Sequence, residues 1–137
     1  VEADSVSSHA RSNMSNFIAP GKHLLIDFWG ARHLQDKTRI RKALKKAAEA
    51  CGATVLKVVL HSFGKEAGIT GVAVLAESHI SIHTWPEIDY AALDVFMCGS
   101  CDPHKSVVVL RECFQPQKIK VTEHHRGKRK KSAGTSR

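Results

Sequence analysis

Between Ser78 and Thr84 the chain alternates strictly, with His79, Ser81 and His83 on one set of positions and Ile80, Ile82 and Thr84 on the other. A period of two belongs to a strand, and it sends the two sets to opposite faces of a sheet. The fold must therefore include a sheet with one apolar and one polar side. Other segments supply its neighbours. His23–Trp29, closed by Gly30, is a short apolar run; Thr54–Phe63 is rich in Val; Val72–Ala76, Ala91–Phe96 and Lys118–Glu123 have strand character. Two helices complete the pattern. Asp36 caps a segment in which Ile40, Ala43, Leu44, Ala47 and Cys51 recur at spacings of three and four, and Gly52 suits its left-handed exit. The second helix spans Pro103 to Phe114, with proline in its first turn. Strands follow strands too often for a doubly wound parallel sheet. The fold class predicted is α+β, a two-layer sandwich with a largely antiparallel sheet and two main helices on one face.

At 137 residues the chain has room for one domain. Residues 1–22, rich in Ser and Asn, read as a flexible leader, inside which Met14 is an alternative start; 127–137 reads as a basic flexible tail. The domain then covers 23–126. The formal charge of +8 is concentrated at its end: from Lys118 onward there are eight basic residues against one acid, Glu123. A near-neutral body with a basic tip argues against a protein built to bind nucleic acid, which stays as the competing class. The exposed face of the first helix, with Arg39, Arg41, Lys42, Lys45 and Lys46, reads as solvated surface. No apolar run is long enough for a membrane span, so no membrane partner and a cytoplasmic location are expected. Cys51, Cys98, Cys101 and Cys113 are then expected as free thiols.

The chemistry is concentrated in Glu77-Ser78-His79-Ile80-Ser81-Ile82-His83-Thr84-Trp85-Pro86-Glu87. Taken singly, these are ordinary strand and turn residues; together they resemble a site. Ser78 lacks the Gly-x-Ser-x-Gly elbow of a serine hydrolase. Cys98-Gly99-Ser100-Cys101 with His104 nearby suggests zinc or a redox dithiol, but Cys51 and Cys113 fall in helices as small core residues, and Pro103 starts its helix beyond both cysteines. No metal is expected.

This segment, with Tyr90-Ala91-Ala92-Leu93-Asp94-Val95-Phe96-Met97-Cys98-Gly99, resembles the core of the prokaryotic S-adenosylmethionine decarboxylase proenzymes. Similarity extends from Gly21-Lys22-His23 through Cys51-Gly52-Ala53-Thr54 and Gly68-Ile69-Thr70-Gly71 to Glu123-His124-His125-Arg126-Gly127. The resemblance implies self-cleavage between Glu77 and Ser78, giving a β chain of 1–77 and an α chain of 78–137. Ser78 becomes a covalent pyruvoyl cofactor whose ketone forms a Schiff base with the substrate, S-adenosylmethionine, on the route to spermidine. It makes His83 the proton acceptor in processing, which needs a neutral imidazole. Cys98 is the proton donor in turnover, and an ordinary thiol with a pKa of about 8.5 is protonated at neutral pH. Glu87 matches an acid holding the ribose hydroxyls, Phe63 an aromatic stacking on adenine, and Thr70 and Trp85 fall among the substrate-binding positions. A homodimer of αβ units is implied. The sequence departs from the family at Thr70, where serine is usual, in the Gly64–Gly68 loop, which lacks a proline, and at Ile88-Asp89, which replace an aromatic-Gly pair. Asp89 could serve a basic substrate, so a pyruvoyl arginine or ornithine decarboxylase of this fold is the alternative.

Overall fold

The computed structural model describes residues 17–18, 20–127 and 129–130. Most of the expected leader and tail, Met14 included, lies outside the described residues. Strand β1 (Phe17–Ile18) is followed by β2 (Gly21–Trp29), helix α1 (Lys37–Ala50), β3 (Val55–Ser62), β4 (Ile69–Leu75) and β5 (Ser78–Trp85). A single 3-10 turn (Pro86–Ile88) leads to β6 (Tyr90–Cys98), helix α2 (His104–Phe114), β7 (Lys118–Arg126) and β8 (Arg129–Lys130). The main sheet has the order β3-β4-β5-β6-β2-β7, with every pair antiparallel. The α+β sandwich is the fold observed.

Alternation builds the core. Leu24, Ile26 and Phe28 of β2, Ile80 and Ile82 of β5, and Leu93, Val95 and Met97 of β6 are buried in one cluster with Ile40, Leu44 and Ala47 of α1 and Leu110 and Phe114 of α2. Each large side chain so buried contributes about 1.5–3 kcal/mol. Asp36 caps α1 by accepting from the Arg39 N–H (3.0 Å), and Gly52 follows at a φ of 87°. Among the described residues, no helix packs on the opposite face of the sheet. That face presents His23, His79, Ser81, His83, Asp94 and Phe96, and leaves Leu25, Val59, Val74 and Trp85 exposed.

Several strands outrun their sequence pattern. β4 begins at Ile69 rather than Val72, and β7 runs through His124, His125 and Arg126 because their backbones pair with His23, Lys22 and Gly21. Beyond them, Phe17–Ile18 pairs with Arg129–Lys130, joining segments that their composition assigns to leader and tail. Backbone pairing needs no hydrophobic period.

Candidate active site

β4 and β5 are joined by a hairpin of two residues, Ala76 and Glu77, since Leu75 pairs with Ser78. Glu77 there has a left-handed φ of 61°, which costs a non-glycine residue about 1–3 kcal/mol. The strained residue owns the carbonyl preceding Ser78. The Ser78 hydroxyl donates to Cys98 Sγ (3.6 Å) and accepts from the Cys98 N–H (3.2 Å), while Cys98 Sγ donates to Glu77 Oε1 (3.5 Å). Burial pushes the Cys98 thiol up, and the Glu77 carboxylate adds to that against an opposing hydrogen bond from Ser78. At neutral pH the thiol therefore keeps its proton. A hydroxyl, a strained carbonyl and a protonated thiol meet at this end of β5.

The other end holds a cavity of about 240 Å³ lined by Phe63, Thr70, His83, Trp85 and Glu87, among others. Thr70 Oγ1 lies 3.2 Å from His83 Nδ1 and so orients the imidazole. Gly68 forms part of the wall, where a Cβ would run into the Thr84 carbonyl oxygen. Thr84 is itself buried, accepting from the Ile69 N–H (2.9 Å) and donating to the Leu34 carbonyl (2.8 Å). Trp85 faces Tyr90 at 5.4 Å between ring centroids, and Tyr90 faces Trp29 at 6.0 Å. The residues expected to act are thus in two groups. His83 is five residues along β5 from Ser78, about 16 Å at the rise of an extended strand.

The sequence profile described as S-adenosylmethionine decarboxylase matches residues 22–127. The chain belongs to this family, whose members are carboxy-lyases. A decarboxylase proenzyme of Methanococcus maripaludis strain C5 is 48% identical over 110 residues, covering 78% of this chain and 89% of its own. One from Thermomicrobium roseum is 39% identical over 108 residues, covering 78% and 93%. A crystal structure of the adenosylmethionine decarboxylase from Aquifex aeolicus superposes with a TM-score of 0.74 at 31% identity, covering 85% of this chain and 98% of that one.

Within the decarboxylase fold, one polar cluster escaped the reading of the sequence. Asp94 at the middle of β6 accepts from Ser81 and lies 2.5 Å from His23 Nε2 and 3.0 Å from His79 Nε2. These residues come from three neighbouring strands, and no spacing in the chain relates them. The ligand atoms of His23, His79 and Asp94 all lie within 4.8 Å of one another, as a metal site would require. Arg126 Nη1, however, lies 3.1 Å from His23 Nδ1. A guanidinium only donates, so the imidazole hydrogen sits on Nε2 and points at Asp94, where a metal would need a lone pair. His104, considered beside the cysteines, pairs instead with Glu123 (2.8 Å). Asp89 adopts a left-handed φ of 53°, which accounts for the glycine usual there, and it is absent from the cavity wall.

Proposed function

We propose that this member of the family cuts itself between Glu77 and Ser78 and then decarboxylates S-adenosylmethionine, yielding the aminopropyl donor for spermidine. The arrangement of Glu77, Ser78 and Cys98 carries the reading. Ser78 Oγ attacks the Glu77 carbonyl carbon, the peptide C–N bond breaks and an ester forms; release of the left-handed Glu77 backbone favours that step. Loss of the residue 78 α-proton to the His83 imidazole then expels the Glu77 carboxylate, and hydrolysis of the resulting dehydroalanine, through its imine form, releases ammonia and leaves the α chain with a pyruvoyl terminus. The residues present fit such a group, since the Cys98 N–H and thiol already face Ser78 Oγ. Bound substrate finds there an electron sink for the pair left by carbon dioxide. Cys98, protonated at neutral pH, returns a proton to the substrate carbon.

The cavity at the far end suits the rest of the substrate. Phe63 and Trp85 offer aromatic faces for adenine and the sulfonium, and Glu87 offers a carboxylate for ribose hydroxyls. Its distance from the same chain's Ser78 supports a homodimer of αβ units in which His83, Glu87 and Phe63 of one copy serve Ser78 of the other. The uncovered sheet face, half apolar, is a surface that such pairing would bury. Intact-mass analysis tests the reading: wild type should appear as two fragments split at residue 77, the second blocked to Edman degradation, and should release carbon dioxide from S-adenosylmethionine. Ser78→Ala should remain one inactive chain. An intact wild type that is nevertheless active rules out the pyruvoyl mechanism.

A further inference from the structure

Cys98 has a second thiol beside it that the reaction does not use. The Cys101 N–H donates to the Cys98 carbonyl (3.3 Å), closing a four-residue turn in which Gly99 takes a left-handed φ of 63°. Such a turn keeps its first and last Cα atoms within about 7 Å, and a disulfide spans Cα separations of about 4.4–6.8 Å. Both thiols are half-buried rather than sealed, and nothing crowds the tip of the turn at Gly99. In the reduced protein Cys98 Sγ faces Ser78 and Glu77, while Cys101 Sγ points to the end of α1, 4.0 Å from where a Cβ on Gly52 would sit. Bond formation requires the two sulfurs to leave these partners and turn toward each other.

We propose that Cys98 and Cys101 are a redox modification site, closing to a reversible disulfide that switches the decarboxylase off. The switch rests on the proposed role of Cys98; the disulfide does not. With a low-molecular-weight disulfide as oxidant, the Cys101 thiolate attacks one external sulfur, giving a mixed disulfide and one small thiolate. Cys98 thiolate then attacks Cys101 Sγ and expels the second. The two protons given up by the cysteines end on the two small thiols, so one external disulfide is reduced as the protein dithiol is oxidised. Cys98 Sγ is engaged with Ser78 and Glu77, and Cys101 has neither contact, so the exchange is written as starting at Cys101. Oxidation removes the proton that Cys98 donates and draws its sulfur away from Ser78.

The test is to incubate processed enzyme with oxidised glutathione, digest it without reduction and assay turnover in parallel. The peptide holding Cys98 and Cys101 should be lighter by two hydrogens, with turnover down about tenfold or more and restored to within about twofold by dithiothreitol. Cys101→Ser should keep its basal turnover and show neither the internal bond nor the reversible loss. A bond from Cys101 to the buried Cys51, a stable glutathione adduct as the sole product, or no modification overturns the site and leaves the decarboxylase reading standing. A Cys98–Cys101 bond with turnover unchanged overturns the switch, and with it Cys98 as proton donor.

Discussion

In the proposed reaction a side chain and its own backbone hold different parts, and Cys98 separates them. Its N–H fixes Ser78 Oγ, while its thiol carries the proton. Cys98→Ala should therefore still process but lose turnover by about 10² or more; intact mass and carbon dioxide release measure the two independently. Asp94 presents a different balance. Burial works against its carboxylate, but the hydrogen bonds from Ser81, His23 and His79 outweigh it and hold the pKa below the ordinary 3.8. A carboxyl lowered on folding stabilises fully above its unfolded value, and that contribution disappears as pH falls through the folded one. Asp94→Asn should lower the unfolding free energy by about 2 kcal/mol at neutral pH, with the gap to wild type narrowing as pH falls below 3.8 and through the lowered folded value. Denaturant midpoints across pH check this, and an equal gap at both ends contradicts an ionised Asp94. Ser78, His83 and Cys98 could be singled out as candidates because they stand in one long, specific motif. His23 and Arg126, separated by most of the chain, have no local signature and meet only through strand pairing.

Periodicity revealed the elements whose faces differ. β5 was legible from its alternation and α1 from its spacing of three and four, down to the Asp36 cap. The start of β4 was not, because Thr70 and Gly71 look like loop residues although they pair with His61 and Leu60. The role of Gly68 was equally hidden: it permits a close approach to the Thr84 carbonyl, and backbone, unlike a side-chain tip, cannot move aside. Gly68→Ala should cost about 2–3 kcal/mol and lower the melting temperature. Because Thr84 lies between His83 and Trp85, the same change should raise KM for S-adenosylmethionine. A variant as stable as wild type would show that the β4 entry can shift without cost.

The strand order of the whole sheet could not be read from one sequence, since β6, β2 and β7 are neighbours only in space. The parting of Ser78 from His83 comes instead from β5 alone, an extended strand that holds one near each end. If copies share sites, co-expressing Ser78→Ala with His83→Ala should let the second chain be cleaved, because the first supplies its histidine; expressed alone, neither should split. Cleavage of neither chain on co-expression would mean that His83 acts within its own chain. The strand order has an effect of its own. The proposed cut at residue 77 would assign β2, β3 and β4 to one polypeptide and β5, β6 and β7 to the other, yet β2 runs between β6 and β7. The two pieces would be plaited, and pulling either one free would tear four ladders at once: β4 from β5, β6 from β2, β2 from β7, and β1 from β8. Such a cut would alter the covalent thread while leaving the weave intact, and a fresh chain could replace neither piece unless those ladders first came apart.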